Sequence, residues 1–216
     1  MNAGGHIAVA HRLGTFDGDD DSGVNLGAAL PDLASIGHFR LRGSTDDDAV
    51  SHGIDLHHRT DDAFHQHPWF TGRNRELADR LGADGVGRGP ARACSHVGIE
   101  LLLDGELLRD PTHQAASADA YNGILDRLDD LESLVEAEHR ARWRLHLTRV
   151  AERHLPDYYD DPQAVAALLH RILSARPRLA LPTEHVPVVA AALADVQPDI
   201  AATATDLLGQ LRAEVA

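Results

Sequence analysis

The sequence predicts an all-α protein that folds as a single helical bundle over residues 1–216. Apolar residues recur at the helical period of about 3.6 in most segments, whereas no segment shows the alternation typical of a half-buried strand. No internal repeat and no long linker divides the chain. Aromatic residues make up only 4% of the chain, so the core is expected to consist mainly of Leu, Ala, Val and Ile.

The individual helices follow from apolar periodicity and from residues that begin or end helices. Pro31 predicts the end of a helix or a kink. Thr45 followed by three aspartates predicts an N-cap and an acidic first turn, and this helix should end near Phe64, before the turn at His67-Pro68. Asp161-Pro162 is a further N-cap signal. Helices are predicted at residues 3–13, 24–36, 45–64, 69–81, 91–108, 117–135, 137–155, 162–176, 183–194 and 198–213.

Composition excludes several classes of function. The chain carries 34 acidic and 20 basic residues, a net charge of −14, which disfavours general nucleic-acid binding and anionic membrane surfaces. All the basic residues are arginine, so Schiff-base and P-loop lysines are absent. A single cysteine, Cys94, favours a reducing cytoplasm, and we expect neither a signal peptide nor a membrane span.

One helix places two metal-ligating residue types on its apolar face. The inward stripe of the helix from Thr45 runs through Val50, Ile54, His57, Asp61 and Phe64. His57 and Asp61 are therefore one turn apart on the same face, a spacing at which both side chains can reach one metal ion. The same pattern is also compatible with a hydrogen-bonded His–Asp pair in the core.

Further candidates lie elsewhere in the first half of the chain. His96, Glu100 and Asp104 share one face of an apolar helix and need partners if that face is buried. His6 and Asp32 are isolated polar residues in apolar segments, and His65 and His67 could complete a site from the end of their helix. A mixed His/carboxylate ligand set favours Mn²⁺ or Fe²⁺, with Mg²⁺ as a further possibility, over a structural zinc site.

Three segments resemble a known family. Residues 53–61 (GIDLHHRTD), with His67-Pro68 beyond them, resemble the G-I-x-L-H-R-x-I-D…H-P motif of acyl-carrier-protein phosphodiesterases, a divergent branch of the HD-type metal phosphohydrolases. Residues 2–10 and 27–33 resemble that family's N-F-L-A-H-x-x-L-A and G-N-L-L-x-D-F motifs. The likeness covers roughly residues 1–110 and 156–180 in the same order. Ala28 stands where the family has asparagine, and Ser95-His96 where it has Asp-His.

The resemblance implies an HD-like helical fold and a metal-dependent phosphodiesterase or phosphohydrolase. Residues 1–110 would form the metal-site half and residues 117–216 the helical remainder. The substrate would be acyl carrier protein or a small phosphoester. Asp61 and Glu100 would act as ligand or base, and Arg59 and His67 would contact the phosphate. The implied metal ligands are His6, Asp32, His57, Asp61 and His96.

Two alternatives of another class remain open. The chain could be a non-catalytic helical interaction or metal-binding module, in which the buried His and Asp residues are structural. A DinB-type helical bundle would instead hold its metal with three histidines, without Asp32 and Asp61. Convergence of the five implied ligands in one cavity separates the enzyme from the structural alternative.

Overall fold

The computed structural model describes residues 1–14, 21–153 and 159–216. Within these ranges the chain forms α-helices and three short 3₁₀ helices, with no β-strand, so the prediction of an all-α fold is confirmed. No described helix is both long and apolar enough to cross a lipid bilayer. The helices are α1 Ala3–Leu13, α2 Asp21–Ile36, α3 Asp48–Gln66, α4 Pro68–Ala83, α5 Arg88–Leu107, α6 Pro111–Asp126, α7 Leu128–Leu131, α8 Arg140–Arg153, α9 Pro162–Leu173 and α10 Val186–Val215.

Several predicted helix starts differ from the observed ones, and two of them involve capping residues. The predicted cap Thr45 lies before α3, and the carboxylate of Asp47 accepts a hydrogen bond from Val50 N at 3.0 Å instead. Helix α6 begins at Pro111, because Asp110 accepts a hydrogen bond from Thr112 N at 2.9 Å. The Asp110-Pro111 pair is the same cap signal that correctly predicts α9 at Asp161-Pro162.

Two helices contain an internal proline. The sequence predicts that the first ends or kinks at Pro31 and that the second is divided into two helices near Pro198. Helix α2 continues through Pro31 to Ile36, and α10 continues through Pro198 to Val215. Each proline removes one backbone hydrogen bond. In α10, residues on both sides of Pro198 are fully buried, Leu193 and Ile200 among them. Burial of apolar surface on both sides of the proline offsets the missing bond.

The described residues form two compact units that interleave along the sequence. The first contains residues 1–63, 107–156 and 208–216, and the second contains residues 64–106 and 157–207. These boundaries differ from the division predicted between residues 110 and 117, and the single folding domain stays a prediction.

The first unit packs α1, α2, α6 and α8 around one apolar core. Trp143 of α8 lies at its centre, fully buried, and its indole N–H donates a hydrogen bond to Leu131 O at 2.8 Å. The ring of Phe39 packs edge-on against the Trp143 ring at 5.1 Å. The hydrogen bond to Leu131 O satisfies the indole N–H, which is the one polar group of the largest side chain in this core.

Within the first unit, α2 and α3 approach each other closely at Gly27 and Gly53. A Cβ atom on Gly27 would lie 2.9 Å from the Cα of Gly53, and one on Gly53 would lie 2.8 Å from Ala28 N. Such distances overlap van der Waals radii, so both positions require glycine. The contact brings the backbone of α2 to the face of α3 that carries His57.

The second unit is built from α4, α5, α9 and most of α10. Leu77, Leu81, Ile99, Leu102 and Leu193 are nearly inaccessible to solvent. Ion pairs Arg73–Asp199 and Arg80–Asp195 connect α4 to α10 on the exposed surface. Between α4 and α5, the Ser95 hydroxyl donates to Asn74 Oδ1 at 2.7 Å.

Candidate metal centre

His6 is the most deeply buried member of the candidate site. It lies on α1, whose residues 3–10 are all buried, and its own exposure is 1%. Neither ring nitrogen has a hydrogen-bond partner among the described residues. Burial lowers the pKa of His6 to about 3, although the nearby Asp61 carboxylate opposes this shift. The side chain is therefore a neutral imidazole, with one unprotonated nitrogen available to a metal.

His57 faces His6 from α3. The centroids of the two rings are 3.9 Å apart, and His57 is 6% exposed. Its Nδ1 lies 2.8 Å from Ala28 O, and because a carbonyl oxygen only accepts, Nδ1–H is the donor. Burial lowers the pKa of His57 to about 4, and the bond to Ala28 opposes that shift. In the neutral ring, Nε2 consequently carries the free lone pair.

Two carboxylates lie beside His6. Asp61 Oδ1 is 3.7 Å from His6 Nε2, and Asp32 Oδ2 is 4.0 Å from the same atom. One potential ligand atom each from His6, His57 and Asp61 falls within 4.8 Å of the others. The side chain of Asp61 is 37% exposed, so the group opens toward solvent on that side. The arrangement thus combines buried imidazoles with a carboxylate that solvent can reach.

The second unit contains a separate candidate group formed by His65, His96 and Glu100. The Nε2 atoms of His96 and His65 lie 3.3 Å and 3.5 Å from Glu100 Oε1, and the two rings stack with centroids 4.9 Å apart. Burial alone would raise the pKa of Glu100, but neighbouring positive charge and the hydrogen bond from His96 give a net decrease. Glu100 is therefore an ionised carboxylate that interacts with both histidines.

The five implied metal ligands are thus distributed over both units. His6, His57 and Asp61 come together with Asp32 beside them, whereas His96 belongs to the group in the second unit. His65, which the sequence offers only as a possible addition, is a member of that second group. Asp104, predicted on the same helix face as His96, is fully buried.

Arg59 and His67, which the resemblance implies as phosphate contacts, are hydrogen-bonded to backbone atoms in the structure. Arg59 is two residues from both His57 and Asp61, or about 200° around α3. Its Nη1 donates to Val215 O at 2.7 Å, so Arg59 supports the carboxyl-terminal turn of α10. His67 is the N-cap of α4, where its Nδ1 accepts from Trp69 N at 3.1 Å.

Cysteine chemistry can be excluded at the one thiol of the chain. Cys94 is fully buried in α5, and desolvation raises the pKa of its thiol to about 12. A thiolate nucleophile needs a lowered pKa and access to solvent. Cys94 is consequently a packing residue.

Sequence reasoning missed the backbone contribution to the first group. The hydrogen bond to His57 comes from the carbonyl of Ala28, where the family has asparagine, so this bond does not depend on the side chain at that position. Gly27 and Gly53 make the approach possible. The sequence did carry a sign of this close helix approach: one glycine lies four residues before His57, and another lies directly before Ala28.

Fold and site together define an all-helical protein with candidate metal-binding groups. Comparisons with protein-family models, curated proteins and solved structures find no match to this chain. The resemblance to acyl-carrier-protein phosphodiesterases therefore stays a prediction.

Proposed function

We propose that the chain is a metal-dependent phosphoric ester hydrolase of the HD-like type, with His6, His57 and Asp61 as metal ligands and Asp32 beside them. The observation that carries the metal site is His6, a buried imidazole whose nitrogens have no hydrogen-bond partner among the described residues. Burying a polar group without a partner costs roughly 1–3 kcal/mol in proteins. A divalent metal would supply the missing interaction.

The surrounding residues fit such a metal. The bond from His57 to Ala28 O fixes the ring orientation and directs the unprotonated Nε2 away from the backbone. The lowered pKa values of His6 and His57 keep both imidazoles in the neutral form that binds metal. Two imidazoles with one or two carboxylates favour Mn²⁺ or Fe²⁺ over a structural zinc site, and Mg²⁺ is a further possibility.

The ligand set also supports a hydrolase over the three-histidine alternative. When bound, a divalent metal supplies Lewis acidity that polarises a phosphoryl oxygen. The half-exposed Asp61 is placed to serve as ligand or as proton acceptor at the open side of the group, while the enclosed His6 and His57 hold the metal. A non-catalytic metal-binding module would share these ligands and differ in activity alone.

A small phosphoester fits the chain better as substrate than acyl carrier protein does. The carrier is acidic, and this chain has a net charge of −14, so docking would need a free basic surface. The densest basic segment, around Arg140 and Arg144, does not provide such a free basic surface. Arg144 Nη1 already binds Asp129 at 2.7 Å and Glu132 at 2.6 Å.

Metal content and hydrolysis measured on the same preparations test the proposal. The purified chain would be reconstituted with Mn²⁺ and assayed against bis(p-nitrophenyl) phosphate and p-nitrophenyl phosphate. We expect H57Q to lose the metal of this group and hydrolysis together, and H38N, which replaces an exposed histidine outside the group, to retain both. Wild-type protein that binds Mn²⁺ but hydrolyses neither ester would favour the non-catalytic module, and protein that binds no metal would contradict both.

Release of phosphopantetheine from acyl carrier protein provides the substrate test. We expect the chain to hydrolyse the small esters in preference to the carrier, and the double variant R140E/R144E to leave small-ester hydrolysis unchanged. Efficient release from the carrier that is abolished in R140E/R144E would show that the carrier protein is the substrate.

A further inference from the structure

A cleft in the second unit lies along α4 and α5. Its volume is about 880 Å³, within the range of small-molecule sites in proteins. All of its lining residues belong to the second unit. The charged and titratable side chains among them are His65, Arg75, Asp79, Arg88, Arg92 and His96.

The cleft has an excess of positive charge that the protein does not neutralise. Arg75, Arg88 and Arg92 line it together with one carboxylate, Asp79. None of these three arginines forms an ion pair with a described residue. By contrast, Arg73 and Arg80 of the same unit are bound to Asp199 and Asp195. The chain as a whole has a net charge of −14, so three unneutralised arginines around one cavity are unusual. Such a cavity attracts anionic ligands.

The positions of two of these arginines are unfavourable for the helix that carries them. Arg88 is the first residue of α5, where the helix dipole disfavours a cation, and Arg92 lies one turn further along. The two are spaced four residues apart, at which like charges on a helix repel each other. Folding therefore gains nothing from these charges, whereas an anion beside the amino-terminal end of α5 would be attracted by both the arginines and the dipole.

A second cavity shares part of this wall and differs in chemistry. Its volume is about 530 Å³, and it is also lined by Arg88, Arg92 and His96. Its remaining lining residues carry small or apolar side chains: Gly89, Ala93, Val97 and Leu179. Neighbouring cationic and apolar surfaces suit a ligand with an anionic group and an organic body.

We propose that this cleft binds a phosphorylated small organic molecule, with the phosphoryl group held by Arg75, Arg88 and Arg92 and the organic part packed against Val97 and Leu179. A guanidinium group matches two phosphate oxygens at once, and arginines from two helices can surround a tetrahedral anion. The inference goes beyond the proposed hydrolase, because it concerns binding and holds even for a protein that hydrolyses nothing.

Calorimetric titration of the full chain without added metal tests the proposal. The probes are inorganic phosphate and phenylphosphonate, which combines a similar anion with an apolar ring and has no ester bond to hydrolyse. We expect phenylphosphonate to bind more tightly than phosphate. We expect R88Q/R92Q to weaken binding by about tenfold or more, the effect of losing one charge-assisted hydrogen bond of about 1.4 kcal/mol.

Matched variants locate the site. R80Q removes an arginine from the same unit that does not line the cleft, and it should change affinity by less than about twofold because exposed ion pairs contribute little. R75Q, on α4, provides an independent arginine variant if R88Q/R92Q does not fold, and V97N should weaken phenylphosphonate but not phosphate.

Three results would overturn the proposal. The first is no binding of either probe, and the second is equal affinity for both. The third is binding that R75Q and R88Q/R92Q leave unchanged. Loss of metal-dependent hydrolysis in H57Q with intact phenylphosphonate binding would separate this site from the proposed metal centre.

Discussion

The Nδ1–H group of His57 donates a hydrogen bond to the carbonyl oxygen of Ala28, with 2.8 Å between nitrogen and oxygen. This bond joins α3 to α2 and determines which nitrogen of His57 can bind a metal. It exists because neither Gly27 nor Gly53 has a side chain to separate the two backbones. The predictions below start from this relationship and from the two candidate metal groups.

The first prediction concerns metal stoichiometry. His6, His57 and Asp61 form one candidate group and His65, His96 and Glu100 form a second, with ligand atoms within 4.8 Å in each. A third group, Glu136, Glu138 and His139, consists mostly of exposed carboxylates and is not expected to hold a metal. We expect the reconstituted chain to bind two Mn²⁺ ions, and H57Q and H96Q each to lose about one. Elemental analysis after removal of excess metal measures this. One ion per chain, with H96Q unaffected, would leave the second group as a structural ion pair.

The second prediction concerns stability against acid in the metal-free protein. The pKa values of His6 and His57 are about 3 and about 4 in the folded state, below the ordinary value of 6.5. The unfolded chain therefore binds more protons between pH 6.5 and pH 4, and stability falls as pH falls through that range. Each histidine contributes a slope of about 1.4 kcal/mol per pH unit.

Denaturant unfolding of the metal-free chain at several pH values provides the measurement. H57Q removes one titrating group, so its slope should be about half that of the wild type if its fold is retained. H38N removes an exposed histidine outside the metal group and should match the wild type. Equal slopes in the wild type and H57Q would show that His57 is not buried as a neutral ring.

Metal should be released at a lower pH than ordinary histidine pKa values predict. From ordinary histidine pKa values, metal affinity is expected to fall through about pH 6.5. Because burial lowers the pKa of His57 to about 4, protons compete effectively only near that pH. Metal titrations from about pH 8 to about pH 3 would test this, and an affinity that already falls through about pH 6.5 would contradict the lowered pKa of His57.

The third prediction concerns the glycine contact between α2 and α3. G27A and G53A would place a methyl group against backbone atoms of the facing helix, so we expect each to cost about 1–3 kcal/mol of unfolding free energy. Both should also weaken Mn²⁺ binding, because the backbone shift separates Ala28 O from His57. G72A in α4 is the control, since a Cβ there meets nothing within 4 Å and alanine favours a helix. Wild-type stability and metal affinity in G27A and G53A would contradict the close approach.

The fourth prediction concerns Arg59. Its hydrogen bond to Val215 O makes it a structural residue, so R59Q should lower stability by about 0.5–1.5 kcal/mol and leave the KM for a small phosphoester unchanged. Steady-state kinetics together with thermal unfolding distinguish the two roles. A large rise in KM with unchanged stability would restore Arg59 as a phosphate contact.

The sequence predicted which side chains share a face of one helix better than it predicted contacts between the backbones of two helices. The spacing of His57 and Asp61 correctly placed a buried imidazole and a carboxylate on the same face of α3. The hydrogen bond to Ala28 O could not be predicted, because it depends on how closely two helices approach. Arg59 lies about 200° around α3 from His57, and its role as a phosphate contact stays a prediction.

The arginines of the cleft were missed for a different reason. Arg75 lies on α4 and Arg88 and Arg92 lie on α5, so no short motif connects them. The helix was predicted to begin at residue 91, which left Arg88 outside it and hid the like-charged pair at the start of α5.

The contact between Gly27 and Gly53 also bears on how relatives of this chain could be detected. Residues with no reactive group determine where the ligands lie, so divergence can replace neighbouring side chains while leaving the site geometry intact. The carbonyl of Ala28 accepts the hydrogen bond from His57 whatever side chain residue 28 carries. A profile that scores the offsets from Gly27 to Asp32 and from Gly53 to His57 and Asp61 would recognise distant homologues that residue identity overlooks.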